Sequence, residues 1–263
     1  MDWGLSNRLS RILRAPRGRT VMLAVDHGYF LGPTSGLERP RAAIEPLLPH
    51  ADSLMVTRGV LRTSVPAGSG VPIVLRVSGG TSILRELSRE GLTVAMEDAV
   101  RLDASAVTAS IFVGSEGERE TLLNLAKLVD AGERYGIPVL AVTAVGKEMT
   151  RDARYLGLAC RIAAEIGARF VKTYYCEGFE DVVGATPIPV IIAGGKKTPE
   201  REAIELAWKA MRSGAAGVDM GRNIFQSDCP VGMIRAVRAV VHDDASIASA
   251  AAIYEQERSP RSR

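Results

Sequence analysis

Lys172 is the residue whose type and sequence context point most clearly to a chemical reaction. It lies in the segment RFVKTYY (169–175), whose apolar, β-branched and aromatic residues predict a buried strand. Burial disfavours the charged form of an amine, and a neutral amine attacks carbonyl carbons to form a Schiff base. The alternative is a lysine at a strand end whose ammonium group reaches solvent. The choice between the two depends on what surrounds Lys172 in the fold.

Acid–base groups are predicted near this lysine at the ends of two apolar runs. Asp26 follows the first run and is expected to be the charge partner of Lys172, because a carboxylate that ends a buried strand is unfavourable unless it is paired. The alternative is that Asp26 caps a turn with Gly28. His27 is a candidate base, or a residue that only shapes the loop. Tyr174 is a candidate donor to an oxyanion, with packing between strand and helix as the alternative.

A phosphate site is predicted where two glycine-containing loops follow the last apolar runs. Gly194 and Gly195 allow backbone N–H groups to approach an anion, and Gly221 with Arg222 begins a short helix whose N-terminus favours negative charge. GGKK (194–197) alone is weak, since a turn with solvated lysines is its commoner meaning, but its pairing with Gly221 and Arg222 indicates a phosphorylated substrate. Ser78, which follows the third run, is a further candidate phosphate ligand.

The elements that must hold these residues are short apolar runs with helical stretches between them. The runs are continuous rather than alternating, as expected for parallel strands covered on both faces. They span 21–25, 53–56, 72–77, 107–113, 138–142, 170–173, 189–193 and 216–220. This pattern predicts a single-domain (β/α)8 TIM barrel, in which the active site lies at the carboxyl ends of the strands and phosphate commonly binds after strands seven and eight. An open doubly wound sheet is the alternative.

Three of the intervening helices carry clear signals. They are predicted over 116–134, over 151–167, and from an N-cap at Thr198, followed by Pro199 and Glu200, to Gly214. The expected organisation is an N-terminal segment over 1–20, packing on the barrel or on a neighbouring subunit, and a barrel over 21–245. A helix end and a frayed basic tail over 246–263 complete it.

Composition restricts the partners and the compartment. The 263 residues are 46% hydrophobic and carry a formal net charge of +3, too small to indicate nucleic acid or an anionic membrane as partner. The three cysteines, Cys160, Cys176 and Cys229, are spread along the chain without metal-ligand spacing, so no metal is expected and a reducing compartment fits. Without a signal-like or membrane-spanning apolar run, we expect a cytoplasmic protein.

With these residues placed, nearly the whole chain resembles the class I fructose-bisphosphate aldolase family of archaeal type. The motifs that carry the resemblance are DWG (2–4), VDHGYF (25–30), GP (32–33), GLER (36–39), TRG (57–59), VTAVG (142–146), RD (151–152), KTYY (172–175), AGGKK (193–197) and VDMGRNIFQS (218–227). GRNIFQ is common to the wider family and says little about substrate. VTAVG and KTYY are narrower and resemble the branch of the family whose members are thiolases.

The resemblance implies a (β/α)8 barrel, a Schiff-base lysine at Lys172 and a phosphate site at the seventh and eighth loops. It also implies a phosphorylated small-molecule substrate, coenzyme A as co-substrate of an acyl transfer, no bound cofactor, and a large ring-based homo-oligomer resembling a decamer. An aldolase or transaldol-type synthase acting on sugar phosphates is the alternative.

Two departures bear on that choice. Bisphosphate aldolases of this type carry a catalytic tyrosine in a Tyr-Pro-Arg-Gly motif after the fifth strand. Here the segment is TAVG, and the hydroxyl of Thr143 is too weak an acid to take the place of a phenol, which argues against fructose-bisphosphate aldolase activity. Other thiolases use a cysteine nucleophile, but we expect Cys176, four residues beyond Lys172, to be an inert thiol.

Overall fold

The computed structural model describes residues 2–144 and 150–259 and contains a closed barrel of eight parallel strands surrounded by helices. The strands are β1 Thr20–Ala24, β2 Ser53–Thr57, β3 Ile73–Arg76, β4 Ala104–Ile111, β5 Val139–Thr143, β6 Phe170–Tyr174, β7 Val190–Ala193 and β8 Gly217–Met220. Each pairs with its neighbours in chain order, and β8 pairs with β1 to close the ring. The predicted (β/α)8 barrel is confirmed.

Seven of the eight predicted runs coincide with a strand to within one residue at each end. The fourth differs, because β4 begins at Ala104 and ends at Ile111 rather than spanning 107–113. Its first residues, Ala104, Ser105 and Ala106, are all buried but have short side chains. They therefore add little to an apolar run, and the start of the strand is hard to detect from sequence.

Helices cover the outside of the barrel and both of its ends. They are α1 Trp3–Ile12, α2 Gly28–Leu31, α3 Pro40–Ile44, α4 Arg58–Ser64, α5 Met96–Arg101, α6 Glu118–Tyr135, α7 Ala153–Ile166, α8 Phe179–Ala185, α9 Glu200–Arg212, α10 Arg222–Phe225, α11 Pro230–Asp243 and α12 Ile247–Arg258. Short 3-10 helices occupy Glu45–His50 and Ala67–Ser69, and Ser78–Gly79 pairs antiparallel with Gly91–Leu92. No helix within residues 2–144 and 150–259 is long and apolar enough to cross a membrane.

The three helices predicted from sequence are present as α6, α7 and α9. The first two end at Gly136 and Gly167, which adopt left-handed backbone angles that favour glycine. The predicted N-cap at Thr198 is wrong, because Pro199 holds that position in α9. The backbone N–H of Thr198 instead donates to the side-chain oxygen of Asn223 at 2.8 Å, so this residue joins two loops rather than capping a helix. Residues 145–146 of VTAVG and 260–263 of the tail lie outside the described residues.

The interior of the barrel is charged at the carboxyl ends of the strands, its top, and apolar below that layer. Side chains of a strand alternate between its two faces, so every second residue points inward. An inner cluster of fully buried side chains fills the lower part and includes Met22, Val74, Leu140 and Phe170. Ile12 at the end of α1 belongs to the same cluster, so the N-terminal helix closes the bottom of the barrel.

The same alternation places polar groups at the top. Lys172 lies two residues beyond Phe170, and Arg76 lies two residues beyond Val74, so both side chains continue the inward-facing rows. Asp26 continues the row of Ala24 in the same way. The carboxyl ends of the strands therefore converge on a charged layer that rests on an apolar floor.

Apart from that charged layer, the buried carboxylate of Asp52 lies near the bottom of the barrel, just before β2. Asp52 is 3% exposed and accepts hydrogen bonds from the Val21 backbone at 2.8 Å, from Arg238 at 2.8 Å and from His242 at 2.6 Å. Burial raises the pKa of this carboxyl, but the hydrogen bonds from His242, Arg238 and Val21 outweigh that effect and lower it below the ordinary value. Asp52 thus links β1 to α11.

Candidate active site

A cavity of about 220 Å³ opens at the carboxyl ends of the strands and brings most of the candidate residues together. Its walls include eight of the nine: Asp26, His27, Lys172, Tyr174, Gly194, Gly195, Gly221 and Arg222. Ser78 does not line this cavity. These walls come from β1, β6, β7 and β8 and the loops after them, where the barrel fold predicts an active site.

Lys172 forms an ion pair with Asp219 of β8, and the two atoms, Nζ and Oδ2, are 2.7 Å apart. The lysine side chain is 12% exposed and the aspartate side chain is fully buried. The prediction that Asp26 is the charge partner of Lys172 is therefore wrong. Burial raises the pKa of Asp219 to about 6, although the positive charge of Lys172 opposes this shift.

Asp26 instead pairs with Arg76 of β3. The Nε of Arg76 donates to Oδ2 of Asp26 at 2.8 Å, and both side chains are less than a tenth exposed. Burial raises the pKa of Asp26, but the charges of Arg76, Lys172 and His27 and the Arg76 hydrogen bond together lower it below its ordinary value. Asp26 is thus held as a carboxylate.

Arg76 extends this pair into a buried network. Its Nη1 donates to Ser110 at 3.0 Å, and Ser78 donates to Glu90 at 2.6 Å while lying 3.4 Å from the same Nη1. Tyr29 also donates to Glu90, at 2.6 Å. The hydroxyl of Ser78 is therefore engaged within the protein, and its position differs from the one expected for a phosphate ligand.

His27 is a neutral side chain at the edge of the cavity. Burial lowers its pKa to about 4, an effect that the negative charge of Asp26 only partly offsets. Its ring meets Phe225 edge to face with centroids 5.6 Å apart, and its buried Nδ1 has no hydrogen-bond partner among the described residues. A neutral imidazole can donate one hydrogen bond and accept another without adding a charge.

The loops after β7 and β8 are tied together by Asn223. Its Nδ2 donates to the Gly194 carbonyl at 2.7 Å, and its Oδ1 accepts the N–H of Thr198. Gly221 has no room for a side chain, because a Cβ there would lie 2.3 Å from the Ala24 carbonyl oxygen and 2.4 Å from the His27 ring. The loops therefore hold a fixed shape at the cavity wall, with Arg222 beside them; its buried Nε finds no partner within the described residues.

Two further residues, Tyr174 and Thr143, differ in the contacts that their side chains make. Tyr174 lines the cavity and its ring lies under the guanidinium of Arg151, 3.8 Å from carbon to centroid. The hydroxyl of Thr143 donates to that of Thr173 at 2.8 Å. Thr143 lines the cavity together with Val142 and Ala144, but its hydroxyl is engaged by Thr173 of the neighbouring strand.

Cys176 is buried and free, and burial raises the pKa of its thiol above the ordinary value, with the charges of Asp152 and Glu180 adding to the effect. It does not line the cavity. A thiol with a raised pKa carries little thiolate at neutral pH, which agrees with the expectation of an inert residue. No group of three or more metal-ligating side chains is found in the part of the chain that the structure describes.

Sequence reasoning overlooked the roles of Asp219, Arg76 and Glu90. Asp219 and Arg76 are charged residues inside apolar strand-forming runs, and that signal was present because a charge inside such a run needs a partner. Glu90 had no comparable signal. It lies in a polar loop segment, and only the fold carries it to Ser78 and Tyr29.

Comparison with known proteins agrees with this architecture. The profile of the DeoC/LacD family aldolases matches residues 20–227. A 3-hydroxy-5-phosphonooxypentane-2,4-dione thiolase of Klebsiella pneumoniae subsp. pneumoniae is 59% identical over 98% of this chain and 88% of its own length. The protein of that name from Escherichia coli K12 is 56% identical over 98% of this chain and 89% of its own length.

Solved structures extend the similarity to three dimensions. An archaeal fructose 1,6-bisphosphate aldolase has a TM-score of 0.81 and 29% identity, covering 91% of this chain and 99% of the aldolase. An archaeal fructose-1,6-bisphosphate aldolase with its catalytic lysine covalently bound to the carbinolamine intermediate of the substrate has a TM-score of 0.82 and 27% identity. That match covers 90% of this chain and 99% of the other.

Proposed function

This chain belongs to the DeoC/LacD family of aldolases, and we propose that it transfers an acetyl group from 3-hydroxy-5-phosphonooxypentane-2,4-dione to coenzyme A. The products are dihydroxyacetone phosphate and acetyl-CoA. The observation that carries the proposal is the largely buried Lys172 that lines the cavity, in a chain more than half identical to proteins named as thiolases of this diketone. The experiment that tests it is formation of acetyl-CoA from the diketone phosphate and coenzyme A.

The chemistry begins at the carbonyl nearer the phosphate, which Lys172 converts to an iminium. The iminium withdraws electrons from the neighbouring carbon. The thiolate of coenzyme A attacks the distal acetyl carbonyl, and the bond between C2 and C3 then breaks. Its electron pair moves into the iminium and gives an enamine, while the acetyl group leaves on sulfur. Protonation at C3 and hydrolysis release dihydroxyacetone phosphate and free Lys172.

The remaining cavity residues have roles that match their positions. Gly194, Gly195 and Gly221 provide backbone close to where the substrate phosphate would bind, with Arg222 as the charged contact. A neutral His27 can donate to the oxyanion that develops during thiol attack, and Tyr174 can donate from the opposite wall. Such donors are most effective when they are held in place before reaction.

Removing Arg222 is expected to weaken substrate binding more than turnover. A group that grips a non-reacting phosphate stabilises bound substrate and transition state equally, so Arg222→Ala should raise KM and leave kcat nearly unchanged. A charge-assisted hydrogen bond contributes about 1.5–3 kcal/mol, so KM should rise about 10- to 150-fold. Steady-state kinetics with the diketone phosphate measures this, and Arg134→Ala, an exposed arginine at the far end of α6, is the control. An unchanged KM would show that the phosphate binds elsewhere.

The alternative function is cleavage of sugar phosphates without coenzyme A, which the archaeal aldolase structures make worth testing. We expect fructose 1,6-bisphosphate to be a poor substrate, because Thr143 supplies no phenol to the cavity. General acid–base help from such a group is worth about 10²–10⁴-fold. Coupled assay of dihydroxyacetone phosphate formation, with and without coenzyme A, measures the preference. Rapid cleavage of the bisphosphate without coenzyme A would favour the aldolase.

Two expectations from sequence stay predictions. A large ring-based homo-oligomer resembling a decamer would be seen as a mass far above 28.1 kDa in analytical ultracentrifugation. A cytoplasmic location would be seen by fractionation of the producing cell.

A further inference from the structure

The carboxylate nearest to the reactive amine is that of Asp219. Its Oδ2 lies 2.7 Å from Nζ of Lys172, and its side chain is fully buried at the end of β8. We infer that Asp219 carries protons between Lys172 and the substrate carbonyl while the Schiff base forms and is hydrolysed. This role rests on the proposed function, because it requires that Lys172 is the imine-forming residue.

Two other acid–base groups of the cavity, Asp26 and His27, are less suited to this task. Asp26 is bound to Arg76 at 2.8 Å, and its lowered pKa makes it a weak proton acceptor. His27 is also a weak base, because burial lowers its pKa to about 4. Asp219 has its pKa raised to about 6, so it accepts a proton more readily than either of these groups.

One carboxylate suffices for every proton that imine formation moves. Asp219 first takes a proton from the ammonium of Lys172, and the neutral amine adds to the carbonyl carbon to give a nitrogen cation and an alkoxide. The carboxylic acid protonates the alkoxide and then, as carboxylate, removes one proton from nitrogen. It finally returns that proton to the hydroxyl, which leaves as water. The net change is ammonium plus carbonyl to iminium plus water, with Asp219 again a carboxylate.

The position of Asp219 beside Lys172 also suits the iminium that these steps produce. The iminium keeps the positive charge of the original ammonium at nearly the same place, so the attraction to Asp219 persists after water has left. Leaving a charge unpaired in this buried layer would be costly. The geometry therefore serves both the proton transfers and the intermediate that follows them.

A pH dependence follows from the same arrangement. The charged groups that act on Asp219 are Lys172 from β6, Asp26 beyond β1 and Arg76 from β3. As pH falls through about 6, Asp219 takes up a proton and can no longer accept one from Lys172. The rate of imine formation should therefore fall as the pH drops below about 6, which gives the plot of rate against pH an acid limb. His27, with its pKa of about 4, titrates too low to produce the same limb.

The experiment measures the rate at which dihydroxyacetone phosphate becomes reducible by borohydride on Lys172, from pH 5 to 8, by quenched mixing and peptide mass analysis. The isosteric variant Asp219→Asn should slow adduct formation by about 10²–10⁴-fold and lose the limb near pH 6. Asp219→Glu, which restores a carboxyl group, should recover part of the rate and the limb. Asp26→Asn is the matched control, since it removes a neighbouring carboxylate and should keep the limb, displaced to lower pH because the charge of Asp26 helps to raise the pKa of Asp219.

The outcomes separate this inference from the proposed function. An adduct on Lys172 that forms equally fast in wild type and Asp219→Asn would overturn the proton-transfer role and leave the Schiff base intact. A limb lost in Asp26→Asn but kept in Asp219→Asn would assign the role to Asp26 instead. Wild-type protein that gives no adduct on Lys172 would overturn both. The wild-type pH profile also tests the inference if the asparagine variant does not fold, because an absent limb near pH 6 contradicts it.

Discussion

Replacing Lys172 with alanine is expected to abolish turnover while the fold persists. Loss of a covalent nucleophile removes the iminium and every step that depends on it, an effect on the order of 10⁶-fold in kcat. The change leaves Asp219 without its cation, but its pKa is already raised to about 6 and the positive charge of Lys172 is what restrains it. Without that charge the carboxyl group takes up a proton, so no buried charge is left unpaired.

The measurement pairs turnover of the diketone phosphate with thermal unfolding, so that loss of activity is separated from loss of structure. Lys172→Arg is the matched variant, since it keeps a cation beside Asp219 but supplies no neutral amine. It should be inactive as well. In wild type, borohydride and dihydroxyacetone phosphate should leave a reduced adduct on Lys172. An adduct on Lys196 or Lys197, or an active arginine variant, would contradict the assignment.

Replacing Asp52 with alanine is expected to lower the free energy of unfolding substantially. Asp52 accepts from the Val21 backbone, from Arg238 and from His242, all near the bottom of the barrel. Removal of one partner from a buried charge cluster costs ~3–5 kcal/mol, and we expect the lower end because Arg238 is 39% exposed and can still reach water. Urea unfolding followed by circular dichroism measures the loss.

The pH dependence of this effect has a definite sign. The pKa of Asp52 is lower in the folded chain than in the unfolded one, so its stabilisation is fully present above about pH 4 and is lost as pH falls through the folded value. The difference between wild type and Asp52→Ala should therefore shrink in acid. Asp244→Asn is the control, since Asp244 is about half exposed in its pairs with Arg17 and Arg19, and ion pairs open to solvent contribute only about 0–1 kcal/mol. Equal losses in the two variants would refute the assignment.

The architecture was predictable because strands covered on both faces consist of continuous apolar runs that can be recognised in the amino-acid sequence. The order of those runs and the helices between them then leave few folds to consider. The start of β4 was missed where alanine and serine take the place of larger side chains. Thr198 has the composition of an N-cap, yet the side chain of Asn223 in a distant loop determines its contacts.

The ion pairs were less predictable than the residues that form them. Lys172, Asp26, Arg76 and Asp219 all end or interrupt apolar runs, so each could be expected at the top of the barrel. Which carboxylate meets which cation depends on strand register and on the alternation of side chains around a closed ring. Asp219 reaches Lys172 across β7, a relation between β6 and β8 that spacing along the chain does not contain. Ser78 shows a related limit, because its acceptor Glu90 reaches it through the short antiparallel pairing of Ser78–Gly79 with Gly91–Leu92, which the sequence did not predict.

The two ion pairs of the cavity divide between the halves of the barrel. Asp26 and Arg76 both come from the segment containing β1 to β4, and Lys172 and Asp219 both come from the segment containing β5 to β8. Each of these two ion pairs is therefore internal to one half of the barrel, and neither spans the boundary between the halves. Neither ion pair therefore holds the two halves together. Closure of the barrel at the junctions of β4 with β5 and of β8 with β1 therefore depends on backbone pairing and apolar packing rather than on these ion pairs.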